Sequence, residues 1–140
     1  MIRDYMYFCV LFVSLSVMGC SIIDNDTNDE PEELILGNWY QTGYTIDGEY
    51  KDWPADDQRM YDYHSNGNIS VFKYDGRELT FKSTITYTLG DNDIEIAGEN
   101  GTHLYKIIKL NENEFIFERE FDIYGEGNLS KVGYLHERRY

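Results

Sequence analysis

Residues 79–89 read Leu79-Thr80-Phe81-Lys82-Ser83-Thr84-Ile85-Thr86-Tyr87-Thr88-Leu89. Every odd position except Ser83 is apolar or aromatic, and every even one is polar. Successive side chains of an extended chain point to opposite faces, so this two-residue period predicts a strand with one buried face and one solvated face. Working outward, Ile94 and Ile96 alternate with acids, and Phe115, Phe117 and Phe121 share one parity. Between such runs lie Asp47-Gly48, Ser65-Asn66-Gly67, Asp75-Gly76, Gly90-Asp91-Asn92-Asp93, Gly98-Glu99-Asn100-Gly101, Asn111-Glu112-Asn113 and Gly125-Glu126-Gly127-Asn128. Gly, Asn and Asp tolerate the positive φ angles that tight hairpins demand. Eight strands are predicted, at about 36–46, 58–64, 69–74, 78–89, 93–97, 103–110, 114–123 and 129–140. Their connections are short, apart from a longer loop near 47–57 that holds Trp53 and Pro54. Regular spacing with hairpin-length turns predicts an all-β, antiparallel up-and-down meander. Eight two-faced strands close into a barrel, which removes the exposed edges; a sandwich is the alternative closure.

The chain has 140 residues, a length that suits one domain. Asp and Glu number 26 against 12 Lys and Arg, for a formal net charge of -14. That balance excludes a nucleic-acid binder, which needs a basic footprint to displace counterions. Aromatic residues make up 16% of the chain, including 13 tyrosines, which excludes an extended disordered protein.

Residues 5–18, YMYFCVLFVSLSVM, form an apolar run behind Arg3 and Asp4. The run is shorter than the roughly 20 residues a spanning helix needs and fits the hydrophobic part of a secretory signal. It ends in Val17-Met18-Gly19-Cys20, which resembles the lipobox of bacterial lipoproteins. That resemblance implies cleavage before Cys20 and attachment of lipid to its thiol, which would anchor the protein to a membrane. Cys9 would leave with the signal peptide, so the mature chain would have no disulfide and its domain would rest on burial and strand pairing alone. Residues 21–33 carry six carboxylates and no basic group, the composition of a solvated tether. An acidic stretch there also resembles the surface-export signals of Bacteroidota lipoproteins, implying an outer-membrane lipoprotein displayed at the surface; a plain tether is the alternative. The expected organisation is therefore a signal peptide at 1–19, a lipidated Cys20 with a flexible acidic tether to residue 33, and a β-barrel domain at 34–140.

The domain opens with Leu34-Ile35-Leu36-Gly37-Asn38-Trp39. Tyr61 and Tyr63 precede Ser65-Asn66-Gly67, and then come Tyr87-Thr88-Leu89-Gly90-Asp91-Asn92-Asp93-Ile94-Glu95-Ile96 and Tyr105-Lys106-Ile107-Ile108-Lys109-Leu110. In order and spacing this resembles the lipocalin-like domains of Bacteroidota lipoproteins, over essentially all of 34–140. The resemblance implies a lipocalin-like barrel whose closed end is plugged by the tryptophan of the Gly-x-Trp motif, here Gly37 and Trp39. It also implies an arginine near the last strand covering that indole. Arg138 and Arg139 are both candidates, with Arg138 taken as the fingerprint residue.

Other chemistries find no foothold. His64, His103 and His136 are scattered singly, without the converging donors that zinc needs. Asp91-Asn92-Asp93 lacks the ordered oxygen pattern of a calcium loop. No nucleophile elbow or phosphate-cradling glycine loop occurs, so no enzyme, metal or cofactor is expected. Two functions follow. The first is binding of a small hydrophobic or amphipathic ligand in the barrel, with Phe81, Tyr87, Tyr105 and Phe117 as inward-facing candidates. The second is an envelope interaction module that docks a protein or glycan partner on its outer loops, with Tyr50 and Trp53 as contacts.

Overall fold

All seven turn signatures fall at reversals of the chain. The computed structural model describes residues 30–139. The expected signal peptide, Cys20 and the expected tether up to residue 29 lie outside the described residues. The final part of the expected tether is not extended: Pro31–Leu34 form a short helix, α1, with proline in the first turn, where its missing N–H costs nothing. Leu34 and the following Ile35 are buried.

Nine strands follow: β1 (Gly37–Ile46), β2 (Glu49–Asp52), β3 (Arg59–Tyr63), β4 (Asn68–Tyr74), β5 (Leu79–Leu89), β6 (Asp93–Gly98), β7 (Gly101–Leu110), β8 (Glu114–Phe121) and β9 (Ser130–Glu137). Each pairs antiparallel with its neighbour, and β9 returns to β1 with Tyr40 opposite Glu137 and Ile46 opposite Val132. β1 and β3–β9 thus form a closed eight-stranded antiparallel barrel. These are the eight strands expected from the sequence.

The addition is β2, inside the expected 47–57 loop. β1 has ten residues and β3 only five, so Gly37–Tyr40 pair with β3 and leave the upper half of that edge open. Asp47 and Gly48, both at positive φ (50° and 87°), fold β2 back onto Gly43–Ile46 and cover it. All four β2 residues are exposed, so Glu49-Tyr50-Lys51-Asp52 carries no alternation to betray it.

Three register shifts interrupt the ladders, between Gln41 and Gly43, between Val71 and Phe72, and between Ile107 and Lys109. Each inserts an extra residue and reverses which side chains face inward beyond it. The core fills the lower half of the barrel. Trp39, Ile69, Ile94, Ile107, Leu110 and Phe115 are fully buried there, beneath Tyr63 and closed off by Leu34 and Ile35.

Candidate functional site

The closed end is fastened by residues far apart in sequence. Trp39 donates its indole N–H to the Ile35 carbonyl at 2.8 Å. The Arg138 guanidinium lies over the Trp39 ring, 4.1 Å from its centroid, and donates to the carbonyls of Leu34 and Leu36. Arg139 instead lies over Tyr40 on the outer side. Gly37 has a φ of +97°, and a Cβ there would meet the Arg138 guanidinium at 2.9 Å, so glycine is required both by the backbone and by the arginine's path.

Above this plug the interior is open. A cavity of about 550 Å³ reaches the end of the barrel formed by the β6–β7 turn and the segment after β2. Its walls carry the rings of Tyr61, Tyr63, Tyr105, Phe117, Tyr134 and His136, with Glu99 and Asn100 of the β6–β7 turn at the rim. Tyr105 and Phe117 meet edge-on at 4.8 Å, and His136 stacks on Phe117 at 5.1 Å with 19° between planes. Among the polar groups, Gln41 Oε1 accepts from the Tyr61 hydroxyl at 3.1 Å. Ser83 is the polar residue of the inward row Ser83, Ile85, Tyr87 and Leu89, and it also lines the cavity.

Burial sets the charge states. It raises the Tyr63 phenol well above its usual range, and raises Tyr61, Tyr105 and Tyr134 as well. The positive charges of Arg59 beside Tyr61, and of Arg119 beside Tyr105 and Tyr134, offset part of that rise. Burial also pushes His136 down to about 4, with Nδ1 donating to the Phe115 carbonyl at 3.2 Å. At neutral pH the cavity therefore holds neutral phenols and a neutral imidazole.

Two arginines line it. Arg59 at the mouth is neutralised by Asp57 at 2.9 Å. Arg119 donates from Nη1 to His103 Nδ1 at 2.6 Å and packs on Phe121 and Tyr105, its Cζ 4.3 and 5.5 Å from their centroids.

Of the residues singled out in the sequence, Tyr105 and Phe117 line the cavity. Tyr87 is half-buried, stacks edge-on to Tyr63 at 5.2 Å and donates to the His64 carbonyl at 2.8 Å, so it belongs to the packing below the cavity rather than to its wall. Phe81 is a correction. The extra residue Lys82 puts Phe81 opposite Phe72 instead of continuing the inward row of Ser83 and Ile85, and the ring is 54% exposed on the outer face. Tyr50 is exposed on β2, its hydroxyl donating to Asp52 Oδ1 at 2.9 Å. Trp53 lies on no outer loop tip. It is half-buried at the cavity mouth, with its N–H donated to the Asp57 carbonyl at 2.6 Å and its ring edge-on to Tyr44 at 5.9 Å.

The three histidines lie apart: His64 meets Ser70 and Asp62, His103 meets Arg119, and His136 is buried. Among the described residues no three His, Cys, Asp or Glu side chains converge in a way that could hold a metal ion. Arg119 and Gln41 were missed by the sequence reading. A signal existed for both: each is a polar residue on the same parity as buried aromatics, Arg119 between Phe117 and Phe121, and Gln41 after Trp39.

No curated protein matches the chain in sequence. Among solved structures, a lipocalin-like protein from Bacteroides uniformis superposes with a TM-score of 0.54 at 17% identity, over 76% of this chain and 99% of that one. The bovine lipocalin allergen Bos d 2 gives 0.47 at 13% identity, over 77% and 75%. A deswapped triple mutant of bovine odorant binding protein gives 0.44 at 12% identity, over 76% and 74%. The family model described as a lipocalin-like domain matches residues 35–117. With its Gly-x-Trp plug, its covering arginine and its closed eight-stranded barrel, the chain belongs to the lipocalin-like domain family.

Proposed function

We propose that the barrel holds one small hydrophobic or amphipathic molecule, and that the protein binds rather than catalyses. The observation that carries this reading is the division of the interior. The lower half is packed solid, and the upper half keeps a ring-lined cavity of about 550 Å³ that opens at one end. Volumes of roughly 300–1,000 Å³ are the usual dimensions of a small-ligand site, and here the rings share the walls with Gln41, Arg59, Ser83 and Arg119.

Native mass spectrometry of the full chain with the neutral probe N-phenyl-1-naphthylamine tests it. A saturable one-to-one adduct is expected. Ser83→Trp, which plants an indole in the cavity from a half-buried position, should remove that adduct while leaving the fold intact. Absence of any adduct, or an adduct indifferent to Ser83→Trp, overturns the assignment.

We also propose that the mature protein begins at a lipid-modified Cys20 and sits at the outer membrane, facing the cell surface. The support is the Val17-Met18-Gly19-Cys20 sequence behind an apolar run and ahead of acidic residues. Two or more acyl chains suffice for stable anchoring. Detergent-phase partitioning that is abolished by Cys20→Ser is the expected result. An unchanged mass and partition for Cys20→Ser would sink it.

A second reading, docking of a protein or glycan partner at the open end, rests on the exposure of Tyr50, Tyr124 and Leu129 there. Under it, Tyr124→Ala would abolish capture of that partner without changing probe binding in the cavity.

A further inference from the structure

We propose that the cavity ligand carries an anionic group, a carboxylate or a sulfonate-like equivalent, and that Arg119 is the residue that receives it. The inference rests on the cavity-binding reading above and names the chemical class that the cavity selects.

The case begins with charge. The chain carries a net -14, so nothing in its overall field draws anions in. Five cations of the described residues meet acids: Lys51 meets Glu49 at 3.4 Å, Arg59 and Lys73 both meet Asp57 at 2.9 Å, Lys109 meets Glu114 at 2.6 Å, and Lys131 meets Glu118 at 3.9 Å. Arg119 differs. It faces the cavity, and among the described residues no carboxylate forms an ion pair with it. Its guanidinium instead donates to an imidazole nitrogen, His103 Nδ1.

Its Nε–H is shut off from solvent and has no hydrogen-bond partner. It is the sole buried side-chain nitrogen or oxygen left so among the described residues. A buried donor on a charged group without an acceptor is costly to the fold, and such an orphan calls for an explanation. With Nη1 on His103 and Nε enclosed, Nη2 is the guanidinium nitrogen left to meet an oxygen of a carboxylate or sulfonate in the cavity.

Position completes the picture. Phe121 and Tyr105 hold the guanidinium between them, so it is fixed before any ligand arrives. It stands level with the β6–β7 turn at the open end, and Tyr105, Phe117 and Tyr134 lie on the same cavity wall. An amphipathic acid fits with its charge at the arginine and its apolar body against the rings below.

The probes are 1-anilinonaphthalene-8-sulfonate and N-phenyl-1-naphthylamine, which share one aromatic body and differ by the sulfonate. The full chain is titrated with each, with dissociation constants from fluorescence and stoichiometry from native mass. The sulfonate is expected to bind at least tenfold more tightly than the neutral probe. Arg119→Gln should erase that preference by weakening the sulfonate roughly 10- to 100-fold, the scale of a charged hydrogen-bonded contact, and should affect the neutral probe far less. If neither probe binds, the cavity reading itself fails. If the neutral probe binds and the sulfonate shows no advantage, or Arg119→Gln leaves the advantage intact, the anion proposal is overturned while the cavity reading stands. Should Arg119→Gln not fold, Arg59→Gln decides: the preference must survive it, and its loss would move the anion to Arg59 and overturn the assignment.

Discussion

Thr45 and Gly133 face each other across the β1–β9 seam, and a Cβ at Gly133 would stand 2.5 Å from Thr45 Oγ1. The glycine is there because its partner's hydroxyl fills the space, for its φ is ordinary. Gly133→Ala is expected to cost about 1–3 kcal/mol through overpacking of the seam. Adding Thr45→Ala should recover most of that loss, since the remaining neighbours lie at 3.8 Å. A double-mutant cycle in urea reads the coupling. Additive losses would show that the two positions do not oppose each other.

Arg138 and Trp39 provide a second test. Arg138→Met keeps much of the apolar stem but leaves the Leu34 and Leu36 carbonyls without their guanidinium donor and uncovers the indole face. Loss of about 2–4 kcal/mol is expected from the orphaned acceptors and the lost ring contact. Arg138→Lys should rescue little, because an ammonium cannot cover the ring and serve both carbonyls from one planar group. Chemical denaturation distinguishes the outcomes, and full rescue by lysine would reduce the role to charge alone.

His136 gives the pH dependence. Its folded value of about 4 lies below the ordinary 6.5, because burial disfavours the imidazolium. Between these values the unfolded chain binds a proton that the folded chain refuses, so stability falls as pH drops from about 6.5 to 4 and levels off below. The difference corresponds to roughly 3 kcal/mol. Asp57, held low by Lys73 and Arg59 against the opposing effect of burial, acts in a separate window at more acidic pH, where its stabilising contribution is lost. His136→Phe should flatten the 4-to-6.5 portion of the stability profile and leave the acid limb. A profile unchanged by the substitution would rule the histidine out.

Phe117 and Phe81 separate wall from surface. Phe117→Ala enlarges the cavity and strips the stacking surface of Tyr105 and His136, with an expected cost of about 3 kcal/mol or more. Phe81→Ala removes a ring that is 54% exposed and touches Phe72. It should cost under about 1 kcal/mol and leave probe binding unchanged. Weaker probe binding in Phe81→Ala would place that ring inside after all.

Trp53 and Trp39 report on different places. Trp39 is fully buried in the plug, whereas Trp53 lines the cavity mouth. Filling the cavity should change the Trp53 emission and spare that of Trp39, so Trp53→Phe should abolish most of the fluorescence response to ligand. A response that persists in Trp53→Phe would come from the plug and mean that the closed end rearranges.

Much of this barrel was legible because hairpin geometry is local. The turn residues and the two-residue period are written in contiguous stretches, and they located all eight barrel strands. The inward-facing set was legible only between bulges. Thr42, Lys82 and Ile108 each reverse the parity, and a threonine or lysine at a bulge looks like any other strand residue. That is why the alternation put Phe81 inside. β2 was invisible because all four of its side chains face solvent, so burial left no imprint on them. The cavity was written in the exceptions. Ser83, Gln41 and Arg119 break an otherwise apolar parity, and they do so because the space beside them was never meant to be filled with side chains. Which arginine covers Trp39 depended on the geometry past the end of β9, and parity alone offered both.

The seam between β1 and β9 joins residues some ninety positions apart, and Arg138 reaches the carbonyl of Leu34 across 104 positions. Every other barrel pairing is between consecutive segments and can form as a hairpin while the chain is still emerging. The circle cannot be completed that way. Until the last strand arrives, β1 and β8 each present an open edge, and Trp39 lacks its lid. A chain that emerges from its amino end therefore stays a growing open sheet until its last strand arrives. The slow step of folding should be ring closure, a single long-range event, rather than the making of any hairpin.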